Sequence, residues 1–185
     1  EQTRAKAEKG DPEEQRKLGD YYCLGEGVAK NAIEGVKWYR KAAEQGSLLG
    51  QNNLGVCYRD GDGVTQNLTE AAKWFQKSAE RGFAWSEYNL GTQLLHGNGV
   101  AKDLVEAHKW LSLALAQGLD EAGQLLAKIE PAMSRAEITE ARRLAREFRP
   151  RAAPQSGVGL STRILGDSNP LASGTGFFIA EDGSL

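Results

Sequence analysis

Two histidines, two cysteines and three closely spaced glycine pairs are the residues whose chemistry the chain offers first. His96 and His108 lack the spacing of a zinc pair, and Cys23 and Cys57 lie in other parts of the chain, so no four-ligand nitrogen and sulfur set assembles. The two cysteines sit two residues out of step in the repeat described below. They read as buried or half-buried free thiols, which behave as small hydrophobes. Gly25/Gly27, Gly61/Gly63 and Gly97/Gly99 each precede a helical stretch, but a phosphate loop needs a third glycine and a preceding strand. These glycines shape turns. Asp60-Gly61-Asp62-Gly63 lacks the later ligands and the bidentate glutamate of a calcium loop. Neither histidine offers a serine an oriented base. The expectation is therefore no catalytic residue, no metal site and no cofactor.

The bulk properties narrow the partners. A composition of 40% hydrophobic and 26% charged residues is that of a folded protein. A net charge of −2 with a pI near 5.8 gives no basic face for nucleic acid. No apolar run approaches the roughly 18 residues of a membrane-spanning helix.

The glycines belong to a repeat with a 36-residue step and no insertion. Leu18-Gly19 recurs as Leu54-Gly55 and Leu90-Gly91, Trp38 as Trp74 and Trp110, and Gly46 as Gly82 and Gly118. Each unit reads as two helices. In the second unit, Leu54 and Tyr58 fall on one face of a helix that starts near Ser47 and ends at Gly61-Asp62-Gly63. Asn31 with Glu34, Asn67 with Glu70, and Asp103 with Glu106 have the spacing of capping boxes at the start of the second helices. Val36, Tyr39 and Ala43, beside Trp38 and Ala42, give the second helix its apolar face. A pair of this length cannot bury its stripe alone, but a stack makes the core continuous. Trp38, Trp74 and Trp110, with Tyr22 and Tyr58, are accordingly placed in the core.

The pattern L-G-x-x-Y, G-x-G-V and W-[YF]-x-K-[AS]-A-x-x-G resembles the Sel-one-like repeat (SLR) family, a relative of the tetratricopeptide repeat, over units 11–46, 47–82 and 83–118. The third unit departs from it at Leu94, where tyrosine is usual, and at Leu111-Ser112-Leu113. The resemblance implies an all-α fold, a right-handed α/α superhelix serving as a scaffold or adaptor. It also implies that the first helices line a concave groove. The groove positions are then Glu13, Asp20 and Cys23 in the first unit and Leu49, Asn52, Val56 and Arg59 in the second. In the third they are Trp85, Tyr88, Thr92 and Leu95. A protein or peptide partner is expected there, with Trp85 as anchor and Arg59 as charged contact, because tryptophan and arginine dominate interface energetics. Packing over an imperfect repeat contact is the competing reading of Trp85.

Residues 1–10 read as the end of a preceding unit or a capping helix, since Ala7 and Gly10 stand 36 residues before Ala43 and Gly46. The chain opens without a signal segment and is expected to be cut from a longer protein. Residues 119–149 read as a degenerate unit and a capping helix, broken at Pro131 and restarted by the capping box Ser134/Glu137. Residues 150–171 read as a linker, followed by a short non-helical tail. Within 172–185, Ser173-Gly174-Thr175-Gly176-Phe177-Phe178-Ile179, closed by Gly183, resembles the first β-hairpin of a trypsin-like serine peptidase. That resemblance implies a periplasmic or secreted protein whose repeats serve a peptidase domain beyond Leu185. The catalytic triad would then lie beyond Leu185 as well.

Overall fold

The computed structural model describes residues 2–151; the segment carrying the peptidase resemblance lies outside them. The described residues form nine α-helices, one 3-10 turn and no strand. A short helix α1 (Gln2–Glu8) precedes three hairpins, α2/α3 (Pro12–Leu24, Ala32–Glu44), α4/α5 (Leu48–Asp60, Leu68–Ala79) and α6/α7 (Ala84–His96, Leu104–Ala116). Then come α8 (Asp120–Ile129), the 3-10 turn Glu130–Ala132 and α9 (Arg135–Glu147). First helices begin at 12, 48 and 84 and second helices at 32, 68 and 104, so the 36-residue step of the sequence is the step of the stack. Consecutive helices pack on one another from α1 to α8.

The Leu-Gly pair explains how the two helices of a hairpin approach. A Cβ at Gly19, Gly55 or Gly91 would run into the side chain of Tyr39, Phe75 or Leu111, each of which is buried on the second helix of the same unit. Glycine inside a helix costs about 1 kcal/mol relative to alanine, and the close contact of a large apolar side chain with bare backbone offsets it. The core follows as a chain of clusters shared between neighbours. Leu54 and Cys57 of the second unit pack with Val36 and Tyr39 of the first. Leu90 and Trp110 of the third pack with Val56 and Phe75 of the second. Trp38 and Trp110 are buried, as expected, while Trp74 is half-buried.

The second helices are capped on one side only. Asn31, Asn67 and Asp103 accept from the backbone N–H of Glu34, Glu70 and Glu106 at 3.1, 3.0 and 2.9 Å. The return bond of a capping box is absent at these three positions. Each cap N–H is already given to a carbonyl of the preceding helix, that of Tyr22, Tyr58 or Leu94. The glutamates pair instead with Lys37, Lys73 and Lys109. Among the described residues, Ser134/Glu137 at the start of α9 makes the complete box.

α9 does not form a hairpin with α8; it lies against α7. Ala141 is its one fully buried residue, Ile138 packs on the cluster of α7 and α8, and Phe148 just beyond it reaches the cluster of α5, α6 and α7.

Candidate functional site

Along α6, Trp85, Tyr88, Thr92 and Leu95 follow one another at i, i+3, i+7 and i+10 and share a face. All four are half-buried. Trp85, Tyr88 and Leu95 lean on the cluster containing Leu111, Leu119 and Leu126. The Trp85 and Tyr88 rings meet edge to face, 6.2 Å apart at 84°, an arrangement worth about 0.5–1.5 kcal/mol beyond burial. Burial raises the pKa of the Tyr88 phenol. Thr92 turns its hydroxyl back to the Tyr88 carbonyl, at 2.9 Å, and leaves its methyl to the face.

The equivalent face of α4 is different, and two groove assignments are corrected by it. Val56 is 0% exposed, enclosed by Phe75, Leu90 and Trp110. Asn52 is buried as well, its Oδ1 accepting from Ser86 Oγ at 3.2 Å and from Asn89 Nδ2 at 3.0 Å. Leu49 is half-buried. Arg59 pairs with Asp60 at 2.7 Å and donates to Asn89 Oδ1 at 3.2 Å, so its guanidinium ties α4 to α6. The physical reason is stacking. The face at i, i+3, i+7 and i+10 of a first helix is the one the next first helix packs on, and α6 closes it over α4. Over α6 the shorter α8 closes it only in part.

In the first unit the same face carries charge. Arg16 pairs with Asp20, whose carboxylate also accepts from Tyr39 Oη at 2.7 Å and Asn53 Nδ2 at 3.3 Å. Burial raises the Asp20 pKa against the pull of Arg16. Glu13 is exposed and salt-bridged to Arg16. Cys23 and Cys57 are free and buried in one cluster with Tyr39, so the two-residue offset does not part them. Contact with Cys23 and then burial push the Cys57 thiol up; a buried protonated thiol is a poor nucleophile.

His108 is buried on α7. Its Nε2 lies 2.9 Å from Glu130, which also takes Arg142 of α9, and Ser112 Oγ lies 3.2 Å from its Nδ1. This chain of contacts fastens α7, the 3-10 turn and α9. Among the described residues no three histidine, cysteine or acidic side chains gather as a metal cluster, and no helix is long and apolar enough to cross a membrane.

Sequence reasoning missed two features. Glu87 is buried at the position held by Gln15 and Gln51 in the earlier units. A cleft between α5 and α7 holds Phe148. The signals were single departures from the repeat, Gln to Glu at 87, Arg40 to Gln at 76 and Tyr58 to Leu at 94.

Stacked helical hairpins, joined through polar and aromatic faces of their first helices, define a helical repeat protein. A family model described as Sel1 repeat matches residues 15–47, 48–83 and 86–119, and the chain belongs to that family. Sel1 repeat proteins generally act as protein-interaction scaffolds. Among solved structures the chain is similar to a Sel1 repeat protein from Oxalobacter formigenes, at 36% identity and a TM-score of 0.64, covering 69% of this chain and 96% of that one. It is also similar to a protective antigen present in uropathogenic Escherichia coli strains that displays an SLR fold, at 33% identity and a TM-score of 0.70. That match covers 78% of this chain and 32% of the antigen. A search of curated proteins returns no match.

Proposed function

We propose that this chain is a protein-binding scaffold that holds a partner protein or peptide against the α6 face of Trp85, Tyr88, Thr92 and Leu95, with Leu49 beside it. One observation carries the reading. The face closed over Val56 by the next helix is left half open over α6, and there it bears tryptophan and tyrosine. An aromatic pair that keeps part of its surface in water gains on burial by a partner, and such residues make interface hot spots. Arg59, held by Asp60 and Asn89, frames this face rather than anchoring the partner. The peptidase-arm reading rests on residues 173–183 alone and gains no support from residues 2–151.

Affinity measurement on a co-purifying partner tests the proposal. Trp85→Ala is expected to weaken binding by about 1–2 kcal/mol while the thermal midpoint stays within a few degrees. Ile33→Ser, on an exposed second-helix residue, is the control and should leave binding alone. A lowered midpoint with binding intact would make Trp85 a packing residue and remove the site.

A further inference from the structure

The junctions between units are built from the same positions, and the comparison between them isolates one that is open. Between α3 and α5, Arg40 donates to Tyr58 Oη at 2.7 Å and lies 5.6 Å from its ring centre, so the two side chains fill the gap themselves. Between α5 and α7 the equivalent residues are Gln76 and Leu94, which have no ring and no guanidinium. A cavity of about 370 Å³ remains there, with Gln76, Leu94 and Trp110 on its walls together with Phe148 and Arg151 of the chain's own C-terminal segment.

That segment packs across the α5/α7 cleft and closes one side of this space. Phe148 leaves α9 with an extended backbone and sets its ring edge to face on Trp110, 5.2 Å away at 71°. Pro150 covers Gly82. The Arg151 backbone N–H donates to the Glu80 carbonyl at 2.8 Å, and its guanidinium pairs with the Glu80 carboxylate at 2.6 Å. Glu80 is the C-cap of α5. An orphan helix carbonyl and the negative end of the helix dipole therefore receive a donor and a cation together. Aromatic ring, backbone hydrogen bond and terminal arginine give three separate points of recognition over four residues.

We propose that the α5/α7 cleft is a peptide-binding site for a Phe-x-Pro-Arg segment, occupied in this chain by Phe148–Arg151, and that α9 is a latch held shut by that occupancy. The site is lined by the second helices α5 and α7 and by Leu90 and Leu94 of α6, and it does not use the Trp85, Tyr88, Thr92 and Leu95 face. A segment of the same chemistry supplied from outside displaces the latch.

The test uses the whole 185-residue chain. Hydrogen exchange in Phe148→Ala is expected to quicken roughly tenfold or more over α9 and leave α5 to α7 protected, as for release of one local unit. A labelled peptide of residues 145–151 should then bind Phe148→Ala about tenfold or more tightly than it binds the wild type, because the variant's cleft is vacated. Should Phe148→Ala not fold, Arg151→Glu serves in its place. Its loosened α9 should be restored by Glu80→Arg in the same chain. Unchanged α9 protection, a peptide that binds both chains equally or neither, or a charge swap without rescue would each overturn the proposal.

Discussion

A carboxyl group at position 87 stands where the two preceding units carry an amide. Gln15 and Gln51 donate from Nε2 to the carbonyls of Ala7 and Ala43, each at 3.1 Å. Those carbonyls also accept from Gly10 and Gly46, as the Ala79 carbonyl does from Gly82. Gln15 meanwhile accepts from Gln45 at 2.7 Å, and Glu87 accepts from Gln117 at 2.7 Å. Unlike those amides, a carboxyl at 87 can donate only when it is protonated. Burial pushes the Glu87 pKa from 4.5 to about 7, with Gln117 pulling slightly the other way. Between those two values the folded chain keeps a proton that the unfolded chain has lost. Stability is full below pH 4.5 and falls as pH rises through 7. At about 1.4 kcal/mol per pKa unit the loss is of order 3–4 kcal/mol at most. Glu87→Gln is expected to remove this slope and raise the thermal midpoint at pH 8 by several degrees. Gln51→Glu should add a slope of the same sign. The wild-type minus Glu87→Gln difference cancels Asp20, whose pKa is also raised by burial. A difference curve flat between pH 4.5 and 7.5 would sink the assignment. The register made the substitution visible in the sequence, but the burial that raises its pKa toward neutrality appears only with the packing.

At the scale of elements, the turns and caps were legible where their chemistry is local, and not where a neighbour takes part. The positive φ of Gly61 and the exit glycines Gly46, Gly82 and Gly118 follow from helix termination alone. The missing half of the capping boxes does not, because the carbonyl that claims the cap N–H sits on another helix. The second glycine of each pair shows both effects. Gly27 and Gly99 have φ of +67° and +73°, yet a Cβ at Gly27 meets nothing, whereas one at Gly99 collides with the Leu68 carbonyl at the start of α5. Gly27→Ala should cost about 1–2 kcal/mol, the left-handed backbone alone. Gly99→Ala should cost a further 1–3 kcal/mol or so from forced overlap. Denaturant midpoints of the two variants check this, and equal losses would mean that the loop and α5 separate freely. Removal of a one-sided cap, Asn67→Ala, should cost about 1 kcal/mol.

For the whole molecule, the 36-residue step sufficed to place the hairpins, since an array buries its stripes only by stacking. It said nothing of the path after Gly118, where the period lapses; α9 returns over α7 because Ala141, Ile138 and Phe148 find apolar surface there. The two ends of the array should therefore differ in how they open. Units 1 and 2 are joined by neighbour contacts such as those of Leu54, which is buried with Cys23, Val36 and Tyr39. Units 2 and 3 are joined by the equivalent contacts and also by the Arg151 bond and ion pair to Glu80. A cavity at Leu54 is expected to cost about 2–5 kcal/mol. In a chain of nearest-neighbour couplings that loss falls first on the helices that share the cluster. In Leu54→Ala, amide exchange should accelerate across α2 to α4 while α6 to α9 keep most of their protection. Equal acceleration in every helix would mean that the array opens as one cooperative body, with the returning α9 coupling its end to the rest.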